Sequence, residues 1–314
     1  MNYYFAPMEG LTDSIYRKAH HAHFSGVTRY YMPFISPTVH RTLTPREARE
    51  LPKADSVPFE AVPQLLTKVA EDFLWAAGVC RDFGYKEVNL NLGCPSGTVT
   101  AKGKGAGMLR DLDHLRQFLD DIYASAPLPV SVKTRLGCEN PEEFPALLEI
   151  FNEYPIHELT VHPRVRKDFY NGSVNMDAFR YCLENSKAPV CYNGNLCSVS
   201  QIKAIQRDFP QVQSVMIGRG LIGDPGMLTP GGTTINALEA FMDTLREEYQ
   251  TAFGSARNAM FRLKENWHLL LYRFEGSEKL GKRLRKTTDL AEYRQIAQEI
   301  FHTLPLTPEF HPDW

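Results

Sequence analysis

Tyr3-Tyr4-Phe5-Ala6-Pro7-Met8-Glu9-Gly10 is a short apolar run of strand character that stops at a proline and opens into a polar turn. A doubly wound open sheet predicts a glycine-rich GxGxxG turn directly after its first strand, and none stands here. Outward from this stretch, seven more strand-like runs follow: Thr28–Tyr31, Phe59–Val62, Glu87–Leu90, Val130–Val132, Glu158–Val161, Val190–Tyr192 and Ser214–Ile217. Segments of helical period separate them, such as Val69, Phe73, Ala76, Ala77 and Cys80, or Leu112, Leu115, Leu119 and Ile122. Eight strands with helical crossovers imply an α/β fold with a parallel sheet, and eight is the number that closes a (β/α)8 TIM barrel. The barrel is the expected fold.

Met8, Gln64, Asn91, Lys133, His162, Asn193 and Gly218 stand where seven of these runs stop. In a barrel such positions lie on the C-terminal face, where active sites are built. Any one of them is a satisfied loop residue on its own; seven of eight strand ends form a pattern. The alternation ceases at the Pro/Gly-rich segment Gly226-Met227-Leu228-Thr229-Pro230-Gly231-Gly232. Three amphipathic stripes follow it: Ile235 to Ala252, Met260 to Phe274 and Leu290 to Ile300. The expected organisation is a barrel over residues 1–228 and a C-terminal helical-bundle domain over 233–314, docked on it because so few residues make only a small core.

The 314 residues are 43% hydrophobic with a net charge of −2, which excludes a disordered chain. No apolar run reaches the ~18–20 residues of a membrane span, and the first residues lack a signal-peptide pattern. Six cysteines without a CxxC pair read as reduced thiols of a cytoplasmic protein. No metal site is expected: the ten histidines form no HxxxH or HExxH set, and His20, His21 and His23 read as the end of the first helix.

The densest segment is Val88-Asn89-Leu90-Asn91-Leu92-Gly93-Cys94-Pro95-Ser96, followed by Gly103-Lys104-Gly105-Ala106-Gly107-Met108-Leu109. Most free cysteines are small buried hydrophobes. One in a turn at a barrel mouth gains a chemical role, either as a proton donor or, with a lowered pKa, as a nucleophile. The glycines read as a way of folding the backbone tightly before a helix near Asp111.

Asn91-Leu92-Gly93-Cys94-Pro95 with this glycine series resembles the signature of the tRNA-dihydrouridine synthases, flavoenzymes that reduce uridine in tRNA. Ala6-Pro7-Met8, Lys133-x-Arg135-x-Gly137, Val161-His162, Asn193-Gly194 and Gly218-Arg219-Gly220 are similar to further motifs of that family, in the family's order. The resemblance runs from residue 6 to about 225, and the helical tail has the family's place and size. It implies that Ala6, Pro7 and Met8 lie along an FMN ring, that Gln64 bonds its polar edge, and that Lys133 faces its pyrimidine side. It also implies that His162 contacts the flavin, and that Asn193, Gly194, Gly218 and Arg219 hold its phosphate. Cys94 would be the general acid, and Asn91, Arg135, Arg164 and Tyr170 would meet the substrate. NADPH would be the reductant, tRNA the partner, and the protein a monomer. Two positions depart from the pattern: Pro163-Arg164-Val165 replaces Gly-Arg-Thr after the histidine, and Asn195 stands where an acid is usual, so position 195 receives no role.

RNA contact must rest on local charge. Arg257 to Lys286 holds nine basic and three acidic residues, and Arg164, Arg166 and Lys167 are expected to face the same mouth. A charge run is ordinarily a solvated helix face. Two competing readings stay open: a flavin barrel acting on small molecules, and an RNA-binding module whose barrel has lost catalysis.

Overall fold

The computed structural model describes residues 1–312. Nine strands run β1 Asn2–Phe5, β2 Arg29–Tyr31, β3 Ala61–Val62, β4 Gln64–Leu65, β5 Val88–Leu92, β6 Val130–Arg135, β7 Leu159–His162, β8 Val190–Tyr192 and β9 Ser214–Ile217. Around them lie α1 Ser14–His23, α2 Pro45–Glu50, α3 Ala70–Asp82, α4 Gly97–Thr100, α5 Leu112–Ser125, α6 Phe144–Phe151, α7 Met176–Asn185, α8 Val199–Asp208 and α9 Arg219–Gly223. The chain ends in α10 Ile235–Phe253, α11 Ala256–Leu270, α12 Glu278–Lys286 and α13 Leu290–Thr303.

All strand pairs are parallel, in the order β3-β2-β1-β9-β8-β7-β6-β5-β4. β3 falls in the third expected run, Phe59–Val62, and β4 continues the strand past that run's expected end, the two being split at Pro63, which has no N–H to donate to a ladder. The Pro63 carbonyl still accepts from Asn89 N at 2.8 Å, so the sheet closes into a barrel. Eight strand positions therefore carry nine segments.

Period two along each strand sorts the side chains. Val88, Leu90, Leu92, Val130, Val132, Leu159 and Val161 enter the large core between strands and helices. Their alternates Asn89, Asn91, Ser131, Lys133, Arg135, Thr160 and His162 point the other way, into the barrel. There they meet a small apolar set, Tyr4, Ala6, Tyr31, Val62, Cys191 and Met216. β6 is twice the expected length because Lys133 and Arg135 are inward strand residues rather than its end.

The helical region shares the barrel's core: Phe241 of α10 packs edge-on against Tyr16 and Phe24 of the α1 side. Asp13 caps α1 by accepting from Tyr16 N (2.9 Å), and it also accepts from Tyr249 Oη (2.9 Å) and pairs with Arg262 (2.8 Å). The Pro/Gly segment is a pair of tight turns, with Thr229 N donating to Gly226 O and Gly232 N to Thr229 O. A Cβ on Gly226 would lie 2.6 Å from Thr233 Oγ1, so this segment is packed. No described helix is long and apolar enough to cross a membrane.

Candidate active site

A cavity of about 520 Å³ opens at the C-terminal ends of the strands, within the ~300–1,000 Å³ usual for small-molecule sites. The inward alternates and the loops after them build it. Ala6, Pro7, Met8, Gln64, Asn91, Cys94, Lys133, Arg135, His162, Tyr170, Asn193, Gly194, Gly218 and Arg219 all line it. Of the expected site residues only Arg164 does not.

One wall is a chain of amides. Asn91 Nδ2 donates to Gln64 Oε1 (2.7 Å), Gln64 Nε2 to Asn89 Oδ1 (2.8 Å), and Asn89 Nδ2 to Ser131 Oγ (2.9 Å). Asn91 Oδ1 accepts from Gly93 N (3.0 Å) and Cys94 N (2.9 Å), which fixes the turn carrying Cys94. The glycine series makes room beside it: a Cβ on Gly105 would come 2.9 Å from Cys94 O, at a φ of +57°. Asp111 then caps α5 through His114 N, at the helix start the sequence marks. The Cys94 thiol is half-buried, and burial pushes its pKa up against the opposing pull of Lys133 and Arg135. It is a protonated thiol at neutral pH, suited to giving a proton and poorly suited to nucleophilic attack.

The opposite wall is cationic. Lys133 forms no ion pair among the described residues, and burial, with Arg135 nearby, lowers its pKa to about 8. Arg135 is buried, donating Nε to Gly93 O (2.9 Å) and Nη1 to Val165 O (3.0 Å). Two cations lie over the Tyr170 ring, Arg135 5.4 Å and Arg219 4.8 Å from its centre. His162 is buried among these charges, which together with desolvation hold it well below its usual pKa and therefore neutral. Its Nε2 faces Arg164 Nη1 at 3.0 Å. A guanidinium only donates, so Nε2 accepts and the ring proton lies on Nδ1.

Arg164 thus sits behind the wall. It is 1% exposed and also donates to Asn171 O (3.0 Å), Asn195 Oδ1 (3.2 Å) and Gly172 O. Asn195, given no role from sequence, accepts from both Arg164 and Arg219 at 3.2 Å and has a left-handed φ of 44°. Asn89 and Phe169 were likewise missed; period two from Asn91 and the aromatic pair Phe169-Tyr170 were the available signals. Gly194 and Gly218 bring bare backbone to the rim, since a Cβ on the first would lie 2.9 Å from Val174 Cγ1 and on the second 3.0 Å from Met8 Sδ.

The expected basic surface is smaller than the sequence count. Arg262 is committed to Asp13, Arg273 to Asp224 (3.4 Å) and Lys264 to the carbonyls of Arg285 and Thr287. Arg166 pairs with Glu139 (2.6 Å), leaving Lys167 exposed on that loop. Arg283 of α12 pairs with Glu299 (3.3 Å), and Lys279, Lys282, Arg285 and Lys286 of the same helix remain at the surface. No group of three or more His, Cys, Asp or Glu suited to a metal ion occurs among the described residues.

A closed parallel barrel with a protonated thiol, a desolvated lysine and a neutral histidine converging at its C-terminal mouth defines a (β/α)8-barrel enzyme. Comparison with known proteins narrows the class. The chain belongs to the dihydrouridine synthase family, whose model matches residues 4–304. It is 27% identical over 223 residues to tRNA-dihydrouridine synthase B of Pasteurella multocida (strain Pm70), covering 71% of this chain and 66% of that protein. It is 27% identical to a probable tRNA-dihydrouridine synthase of Rhizobium leguminosarum bv. phaseoli, covering 95% of this chain and 94% of that one. In fold it is similar to morphinone reductase, seen as a variant in complex with tetrahydroNAD (TM-score 0.53, 9% identity, 72% of this chain and 85% of that one).

Proposed function

We propose that the protein reduces the C5–C6 double bond of uridine in tRNA to dihydrouridine, using FMN with NADPH as the reductant. The observation that carries this reading is the pairing of a protonated Cys94 with an unpaired Lys133 in one cavity of ligand size. Family membership supports the reaction class.

The residues suit the cofactor. Lys133 has the charge to neutralise a reduced flavin, Gln64 offers an amide to its polar edge, and Ala6-Pro7-Met8 form the adjoining wall. Asn193, Gly194, Gly218 and Arg219, after the last two strands, suit its phosphate, because barrels place phosphates there. FMN held by these residues would supply the hydride for C6 of the uracil.

The chain's own residues do the rest. Cys94 gives its proton to C5 as enolate charge develops, so no free carbanion forms. Asn91 holds the Cys94 turn rigid, and Arg135 and Tyr170 form the wall against the substrate base. His162, neutral with its proton on Nδ1, offers a donor rather than a charge. The helical region and the exposed cations of α12 grip the RNA backbone while the uridine leaves its stack.

The test is spectroscopic. Purified protein is expected to be yellow or to become so with FMN, to bleach with NADPH, and to recover colour anaerobically on adding unmodified tRNA. A flavin reoxidised by small enones but not by tRNA moves the activity to small-molecule reduction. Failure to take up FMN at all rejects both.

A further inference from the structure

Phe169 stands where the local backbone does not favour it. Asn171 N donates to Asp168 O at 2.8 Å, closing a four-residue turn with Phe169 at its first central position. Its torsions, φ 50° and ψ −101°, are those of a type II′ turn, a position that glycine fills because a Cβ crowds the backbone there. A bulky side chain held at positive φ is a strained feature that tends to mark function.

Its ring is not retained for packing. Phe169 is 42% exposed, belongs to no part of the buried core, and among the described residues faces no other aromatic ring or cation. It lines the cavity mouth beside Tyr170, whose ring by contrast has Arg135 and Arg219 over it. The loop beneath is rigid: Arg164, buried, ties down Asn171 O and Gly172 O, and Asp168 accepts from Val165 N (3.2 Å). The turn therefore presents an exposed aromatic ring, on a hydrogen-bonded support, at the rim of the site.

We infer that Phe169 is a stacking platform for a nucleobase of the RNA next to the extruded uridine. Pulling one base out of a stack leaves its neighbour with an exposed face, and a fixed aromatic ring replaces the lost partner without reading sequence. Phe169 is thus a positioning residue. The inference rests on the tRNA reading above.

The test combines RNA binding with stability. Phe169→Gly is expected to weaken binding of unmodified tRNA roughly tenfold, while thermal stability holds or rises because glycine relieves the positive φ. Phe169→Leu, which keeps bulk without a π face, should bind like the glycine variant, and Phe169→Tyr should bind like the wild type. With 2-aminopurine replacing the base next to the target uridine, the wild type should quench its fluorescence and the glycine variant should not. Undiminished affinity in Phe169→Gly overturns the inference alone, as does a loss of affinity that tracks a fall in melting temperature. A wild-type protein that does not bind tRNA overturns the underlying reading, and the inference with it.

Discussion

Cys94 is set apart from the other five cysteines by position rather than by chemistry. Cys80, Cys138, Cys182, Cys191 and Cys197 are buried; Cys94 is half-buried on the turn that Asn91 pins at the cavity. As a general acid it should contribute about 10²–10⁴-fold to turnover. Cys94→Ala is expected to lose at least ~10²-fold in tRNA-dependent reoxidation while still binding flavin and accepting electrons from NADPH, as single-turnover absorbance would read. Loss of both halves together would instead mean that the turn had collapsed. His162 shows the same dependence on neighbours: its neutrality follows from burial among Arg135, Lys133, Arg164 and Arg219.

At the scale of elements, Asp13 joins α1 to the helical region by capping the helix while taking Tyr249 and Arg262. Losing the cap costs about 1 kcal/mol, and orphaning the partly buried Arg262 adds to that. Asp13→Ala should therefore destabilise by about 2–4 kcal/mol, and Asp13→Asn by less because the cap survives; denaturant titration separates them. The proposed RNA grip can be tested on α12. Its buried side is Leu280, Gly281 and Leu284, and its outer side is Lys279, Lys282, Arg283, Arg285 and Lys286. Lys282→Glu with Arg285→Glu should weaken tRNA binding at least roughly tenfold and flatten the log–log salt dependence by roughly two. An unchanged slope would make this face merely solvated.

The whole molecule carries a pH dependence built from buried imidazoles. His20 is fully buried, facing Tyr30 Oη (2.8 Å) and donating Nε2–H to Pro225 O (3.0 Å), and burial lowers its pKa from 6.5 to about 3. His162 shifts the same way. Between those values the unfolded chain binds protons that the folded protein refuses, so stability falls as pH falls below about 6.5. The slope is about 1.4 kcal/mol per pH unit for each such histidine. Denaturant midpoints at pH 7 and pH 5 should show this loss, and His20→Gln should reduce the slope by about one proton.

The sequence by itself determined the alternation of strand and helix, hence the parallel barrel, because hydrophobic period is local. Its strand ends also placed Met8, Gln64, Asn91, Lys133, His162, Asn193 and Gly218 at the cavity, because in a parallel barrel a strand's end is the active face wherever that strand sits; further lining residues, Arg135 and Tyr170 among them, came from the family resemblance. Tertiary structure alone decided which of those groups are charged, paired or reachable. Sequence puts Arg164 at the substrate and Arg262 in a basic run, yet the first braces the loop behind the cavity and the second anchors the helical region. Asn195 bridges two guanidiniums from distant segments, and Phe169 owes its meaning to a backbone torsion. Spacing cannot report such facts, since burial, partner and torsion are set by residues far away in the chain.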